Sequence, residues 1–107
     1  MKSKSKAFKI HKTGEPRVFR IFGELDLATA GSLAAALQPE LDTVGDLILD
    51  LSELTFMDSS GIKVLIKATS KLEGKGSLIL RSAGESIRRV LTLTQLDRIS
   101  NLTIVDQ

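Results

Sequence analysis

The chain has 107 residues, with 15 Lys and Arg against 13 Asp and Glu, a single His and no Cys, Trp or Tyr. A chain of this length forms one domain and leaves little room for a second lobe or a deep cleft. Hydrophobic residues at 42% and charged residues at 26% are typical of a globular protein rather than a disordered one. The absence of cysteine excludes disulfides, Cys-ligated zinc and thiol catalysis.

The positive charge of the chain is concentrated at its start. Five lysines and no acid fall within the first twelve residues: Lys2, Lys4, Lys6, Lys9 and Lys12. Residues 13–107 then hold ten bases and thirteen acids, a net charge of −3. A short lysine-rich start without interleaved aromatic residues is typical of a solvated terminus, so we expect no direct binding of nucleic acid. We interpret residues 1–6 as a tail and residues 7–107 as the folded domain.

The hydropathy pattern indicates no membrane segment. No apolar run approaches the roughly 18 residues that a membrane span needs, and residues 1–6 lack the apolar stretch of a signal peptide. We therefore expect no membrane span and a cytoplasmic location.

The first 41 residues predict a hairpin followed by a helix. Residues 7–12 alternate apolar and polar side chains, as a half-buried strand does, and a turn at 13–16 joins them to a second strand at 17–22. The strand ends at 23–26, and apolar residues then recur at helical spacing as far as Leu41. Either Asp26 or Thr29 is expected to cap this helix.

The rest of the chain alternates strands and helices. The apolar run at 47–51 predicts a strand buried on both faces. A second helix is expected to bury Ile62, Leu65, Ile66, Thr69 and Leu72. A strand at 77–80, a helix at 86–96 and a strand at 102–105 follow. The order ββαβαβαβ predicts an α/β fold whose mixed, mostly parallel sheet has an antiparallel edge hairpin, with helices packed against the sheet through right-handed crossovers.

Several chemical sites are disfavoured by spacing. His11, the only histidine, lies in the predicted edge strand, and neither Ser59 nor Ser60 lies in a nucleophile elbow. The run Gly74-Lys75-Gly76-Ser77 lacks the glycine and hydroxyl positions of a phosphate loop and predicts a helix-to-strand turn. Asp26, Asp50 and Asp58 lack metal-ligand spacing, so helix capping and solvent contact explain them better than a cation site.

The segment Asp58-Ser59-Ser60-Gly61 is the most informative one. Asp58 is a good N-cap for the second helix, which by itself accounts for the aspartate. It does not account for two serines and a glycine in the first turn, because Gly costs about 1 kcal/mol relative to Ala inside a helix. A hydroxyl at a helix start is also suited to phosphorylation, since the positive dipole end tolerates the anion. Capping and a regulatory hydroxyl both remain open on spacing alone.

Four ordered motifs together resemble the STAS domain of bacterial anti-sigma-factor antagonists, over residues 9–105. They are Gly23-Glu24-Leu25-Asp26 with Thr29, Leu33 and Leu37, Leu47-Ile48-Leu49-Asp50-Leu51-Ser52, Phe56-Met57-Asp58-Ser59-Ser60-Gly61, and Leu93-Thr94-Gln95-Leu96-Asp97-Arg98. The family has an αβ layered fold with its switch serine at a helix start. Many members have glycine at Gln95, so the loop before the last strand is expected to be shaped differently here. The lysine-rich start is not part of the family pattern.

The resemblance implies partner switching controlled at Ser59. The unmodified antagonist would bind an anti-sigma factor serine kinase and so free a sigma factor. That kinase would phosphorylate Ser59, and a metal-dependent serine phosphatase would reverse the reaction. Asp58 would cap beside the phosphoacceptor, and Asp26, Asp58, Ser60 and Gly61 would belong to the partner surface. ATP and Mg²⁺ would belong to the kinase, so this chain would need no cofactor or metal of its own.

Two other functions remain open. Some STAS relatives are subunits of membrane transport assemblies or of multiprotein signalling scaffolds, and this is the alternative to sigma-factor control. An enzyme with Ser59 as nucleophile is the weakest hypothesis, because no plausible general base is near it in the sequence. We therefore expect a binding protein rather than an enzyme.

Overall fold

The computed structural model describes residues 7–106, so the predicted tail at 1–6 and Gln107 lie outside the described residues. The described part of the chain has the predicted order of elements. In chain order they are β1 (Lys9–Lys12), β2 (Val18–Leu25), α1 (Ala30–Leu41), β3 (Leu47–Met57), α2 (Ser59–Leu72), β4 (Leu78–Arg81), α3 (Glu85–Leu93), a 3₁₀ turn (Leu96–Arg98) and β5 (Leu102–Val105).

The strands form one sheet in the order β1-β2-β3-β4-β5. Strand β1 is antiparallel to β2, and the other three pairs are parallel, which confirms the predicted mixed sheet with an antiparallel edge hairpin. Each of the three parallel crossovers contains a helix and advances by one strand in the same direction. Because such crossovers are right-handed, all three helices lie on the same face of the sheet.

The hydrophobic core lies between that face and the helices. Phe19, Leu49 and Leu80 are side by side in the strand register and almost fully buried. They share one apolar cluster with buried residues of all three helices, among them Leu33 and Leu65. A fully buried leucine contributes about 1.5–3 kcal/mol, so the sheet and helices form a firm support for the segments at the strand ends.

The other face of the sheet carries a row of ion pairs. Asp50 is 5% exposed and lies in register between Arg20 and Arg81, with its Oδ2 atom 3.2 Å from Arg20 Nε and 3.9 Å from Arg81 Nη2. Burial alone would raise the pKa of Asp50, but hydrogen bonds from Ser52 and Arg20 and the Arg20 charge together hold it below 3.8. The prediction that residues 47–51 are buried on both faces is wrong at Ile48, which is only half-buried because none of the three helices within residues 7–106 covers this face.

Strands β2 and β3 run further than the sequence pattern predicted. Two register shifts, one between Arg20 and Phe22 and one at Gly23, let the pairing continue as far as Leu25 and Met57. Gly23 has a φ of 91°, a left-handed conformation that glycine adopts without steric cost. Gly23, which the sequence pattern places at the end of a strand, is therefore a bend within it.

Two helix details also differ from the expectations. Ile66 is 43% exposed, because it lies at the solvent edge of the buried stripe of α2 rather than within it. Helix α3 ends at Leu93 instead of residue 96, and Gln95 then takes a φ of 63° before the 3₁₀ turn. Glycine adopts this left-handed conformation easily, so the backbone at Gln95 has the conformation that a glycine at this position would favour.

Candidate functional site at the start of helix α2

Helix α2 starts directly after β3, and Asp58 is its N-cap. The Asp58 Oδ1 atom accepts a hydrogen bond of 2.8 Å from the backbone amide of Ser60. The Asp58 carbonyl oxygen accepts from the amides of Gly61 and Ile62, at 3.1 and 3.2 Å. Amides that a helix start ordinarily leaves without partners are thus bonded here, which makes the first turn well ordered.

Ser59 is the first residue of α2 and is exposed to solvent. Its hydroxyl makes no hydrogen bond with any residue in the described range. Ser60, by contrast, is half-buried, and its amide is held by the Asp58 carboxylate. The hydroxyls of both serines are without a hydrogen-bond partner among residues 7–106, so the two differ in exposure, and Ser59 is the more accessible to an incoming group.

Gly61 lies beneath the two serines and is buried. A Cβ atom at this position would lie 2.6 Å from Leu25 Cγ, 2.7 Å from Leu25 Cδ2 and 3.0 Å from Met57 Cγ. These contacts are too short for any side chain, so only glycine fits without displacing the side chains of Leu25 and Met57. The glycine that capping alone does not explain is thus required by an internal contact, which sets the position of α2 on the sheet.

Asp26 organises the turn between β2 and α1. Its Oδ1 atom accepts hydrogen bonds from the amides of Ala28 and Thr29, at 3.0 and 3.2 Å. Thr29 is at the N-cap position of α1 but makes no side-chain capping bond. Its hydroxyl instead donates to the Glu24 carbonyl oxygen at 2.8 Å. Of the two residues expected to cap α1, Thr29 is at the N-cap position, whereas the Asp26 carboxylate stabilises the turn before the helix.

The structure brings Asp26 and Asp58 to the same edge of the sheet. Leu25 and Met57 are paired across β2 and β3, and each acid is the residue that follows one member of this pair. The Asp58 amide also donates to the Leu25 carbonyl oxygen at 3.1 Å. Ser59 therefore starts its helix beside two half-exposed carboxylates.

Two exposed apolar side chains belong to the same edge and were not selected from the sequence. Leu27 is 83% exposed in the turn after Asp26, and Phe56 is 46% exposed two residues before Asp58. Large apolar residues at such positions are typical of binding surfaces when they lie close together. The sequence carries no signal that separates Phe56 from its apolar neighbours Leu54 and Met57, because the exposure of such a side chain depends on the fold.

The disfavoured sites are not assembled in the described residues. His11 is exposed on edge strand β1 and pairs with Arg20, five strand residues or roughly 17 Å from Leu25, so it is not a base for Ser59. The amides of Lys75 and Gly76 both donate to the Leu72 carbonyl oxygen, at 2.7 and 2.9 Å, which confirms a helix-ending turn. No group of three or more metal-binding side chains occurs within residues 7–106.

The family model for the STAS domain matches residues 7–106. The chain belongs to the STAS domain family. Among its relatives, the anti-sigma-F factor antagonist RsfB of Mycobacterium tuberculosis is 33% identical over 86 residues, which cover 79% of this chain and 70% of the relative. The anti-sigma-B factor antagonist of Bacillus subtilis is also 33% identical, over 78% of this chain and 77% of the relative.

Solved structures resemble this STAS domain over most of its length. The anti-sigma factor antagonist SpoIIAA in its unphosphorylated form matches with a TM-score of 0.76 and 26% identity, over 94% of this chain and 88% of that one. Within the described range, this STAS domain has no helix long and apolar enough to cross a membrane.

Proposed function

We propose that this STAS domain protein is an anti-sigma-factor antagonist that binds an anti-sigma factor serine kinase when unphosphorylated. Phosphorylation of Ser59 releases the kinase, and a metal-dependent serine phosphatase restores binding. Sigma-factor-dependent transcription then follows the phosphorylation state, with all partners in the cytoplasm. The observation that carries the proposal is the exposed, unbonded Ser59 hydroxyl at the start of α2.

The residues around Ser59 form the docking surface in this proposal. Asp26 and Asp58 supply the charge at the rim, while Leu27 and Phe56 supply apolar area that a partner would bury. Ser60 is half-exposed beside the phosphoacceptor. Gly61, which the sequence predicted to belong to the partner surface, is buried. It acts by allowing α2 to approach the sheet closely, not through direct contact with a partner.

A phosphate at Ser59 would change binding without unfolding the helix. The amides of Ser60 and Gly61 are already bonded to Asp58, so the new group would lie outside the turn rather than compete with it. The helix dipole favours an anion at this end. The added charge of about −1.5 to −2 would stand beside the Asp58 carboxylate, and a partner surface fitted to a neutral hydroxyl would have to bury it. The proposal therefore assigns the switch to electrostatics at the interface and not to a conformational change.

Candidate serine kinases of the same organism are used to test whether a negative charge at position 59 weakens kinase binding. Purified Ser59→Ala and Ser59→Asp proteins are compared, and Ser86→Asp serves as control because Ser86 is an exposed serine in the first turn of α3. We expect Ser59→Ala and Ser86→Asp to bind the cognate kinase and Ser59→Asp to bind at least about thirtyfold more weakly, since an unpaired buried charge costs about 2 kcal/mol or more. Equal binding of Ser59→Asp and Ser59→Ala would refute the proposal.

A further inference from the structure

Helices α1 and α2 enclose a groove on the side of the domain that they share. The groove has a volume of about 430 Å³. Its floor consists of Leu37, Leu41 and Ala68, which are buried, and of Val64, which is half-buried. The groove is therefore apolar at its base and open to solvent above.

The wall contributed by α1 is low. It consists of the small residues Ala30, Gly31 and Ala34, with Gln38 as its one longer side chain. A Cβ atom at Gly31 would have no atom within 4 Å, so this wall leaves open space above the floor. Side chains of another molecule can therefore enter the groove above Gly31.

The wall contributed by α2 is a row of lysines. Lys63, Lys67 and Lys71 line the groove at intervals of four residues, so the row is about 12 Å long at 1.5 Å per residue. All three are exposed, and none forms an ion pair with another residue of the described chain. Helix α2 contains no acid, and the one acid of α1, Glu40, is paired with Arg17 at 3.2 Å. The groove is thus positively charged and uncompensated, although residues 13–107 as a whole are acidic.

From this arrangement we infer that the groove binds an acidic amphipathic helix of the protein partner. Apolar side chains at helical spacing would enter the groove, and carboxylates along the flank would face the lysines. Three cations at four-residue intervals match a row of carboxylates at the same spacing, whereas a fatty acid presents only one carboxylate. The inference rests on the proposed function, because the helix belongs to the anti-sigma partner, and it adds a second contact besides the Ser59 edge.

The groove is tested first with a synthetic peptide, independently of any partner. The probe has about 14 residues, with leucines at helical spacing flanked by glutamates, and its comparison peptide has lysines in place of the glutamates. In NMR titrations of the ¹⁵N-labelled protein, we expect the acidic peptide to shift the amides of Gly31, Ala34 and Val64. The double variant Lys63→Glu/Lys67→Glu should bind this peptide at least about tenfold more weakly.

The matched control reverses two lysines elsewhere. Lys9→Glu/Lys12→Glu makes the same charge change on edge strand β1 and should leave the affinity within about twofold. Ser59→Ala should also leave it unchanged. The inference is overturned if both peptides bind equally, if the shifts lie outside the groove, or if the control variant loses as much affinity. It is overturned as well if vesicles of anionic phospholipid bind through these lysines while the acidic peptide does not.

A crosslinking experiment then separates this inference from the proposed function. A photoreactive side chain placed at Ala34 is irradiated in the complex with the cognate kinase, and the crosslinked peptide is identified by mass spectrometry. We expect an acidic helical segment of the kinase. If the kinase binds and Ala34 crosslinks nowhere or to a basic segment, the groove inference is wrong and the Ser59 switch stands. If the acidic peptide binds the groove but no kinase responds to Ser59, the proposed function is wrong.

Discussion

Leu25 and Gly61 are packed so closely that no side chain fits between them. An ideal Cβ atom on Gly61 would lie 2.6 Å from Leu25 Cγ, and Leu25 is itself only 2% exposed. The end of β2 therefore supports the first turn of α2 directly. This contact fixes where the Ser59 hydroxyl is presented relative to the acids of the sheet edge.

Replacing Gly61 by Ala should destabilise the protein. Inside a helix this substitution ordinarily adds about 1 kcal/mol of stability. Here the new methyl group overpacks a core contact, which typically costs about 1–3 kcal/mol. We expect a net loss of up to about 2 kcal/mol in the free energy of unfolding, measured by urea denaturation.

The matched control is Gly31→Ala in α1. Gly31 is also helical, but a Cβ atom there meets nothing within 4 Å. We expect this variant to gain up to about 1 kcal/mol. A similar gain for Gly61→Ala would show that the Leu25 contact yields easily and does not position α2.

Removing the cap of α2 should cost stability and leave the sheet intact. Asp58→Ala loses the 2.8 Å hydrogen bond to the Ser60 amide, and loss of an N-cap costs about 0.5–2 kcal/mol. Asp58→Asn keeps a capping oxygen and should lose much less. If both variants lose the same amount in urea denaturation, the Asp58 charge rather than its cap stabilises the helix.

The Asp50 ion pairs should make stability depend on pH in acid. The folded state holds the pKa of Asp50 below its ordinary value, so folding favours the ionised carboxylate. The resulting stabilisation is complete above about pH 4 and is lost as the pH falls through the lower, folded-state pKa. We therefore compare the free energies of unfolding of the unmodified protein and Asp50→Asn. The difference in favour of the unmodified protein should be smaller at about pH 3 than at neutral pH.

An NMR titration of the Asp50 carboxyl carbon provides the direct check. A midpoint at or above the ordinary aspartate value of about 3.9 would contradict the prediction, as would an advantage over Asp50→Asn that does not change with pH.

Gln95→Gly should stabilise the protein. Gln95 is exposed and has φ 63° and ψ 25°, and a left-handed conformation costs an L-residue about 1–2 kcal/mol. Glycine removes that cost but adds about 0.4–1 kcal/mol of unfolded-state entropy, so a net gain of up to about 1.5 kcal/mol is expected. Gln95→Ala keeps the Cβ atom and should gain nothing. Equal midpoints of thermal unfolding for the Gly and Ala variants would argue against strain at this position.

The periodicity of the sequence was sufficient to predict the element order and the mixed sheet. It was insufficient where a residue's role depends on a distant neighbour. Gly23 looked like the end of a strand because a bulge is visible only once β3 is placed beside β2. Ile66 matched the apolar spacing of α2, yet it lies at the edge of the face that the sheet covers.

At the candidate site the sequence indicated the residues but not the reasons for all of them. Asp58 was identified as the cap from local chemistry alone, because capping involves only its own turn. The reason for Gly61 required the positions of Leu25 and Met57, which are 36 and 4 residues away in the chain. Leu27 and Phe56 were missed because exposure of an apolar side chain is decided by the fold rather than by the pattern.

Site-mapped phosphorylation decides whether Ser59 is the phosphorylated residue. The unmodified protein, Ser59→Ala and Ser60→Ala are each incubated with the cognate serine kinase and ATP-Mg²⁺, and the products are analysed by peptide mass spectrometry. We expect one phosphoryl group at Ser59 in the unmodified and Ser60→Ala proteins and none in Ser59→Ala. Phosphorylation of Ser59→Ala at the same rate, or of Ser60 in place of Ser59, would refute the proposed role of Ser59.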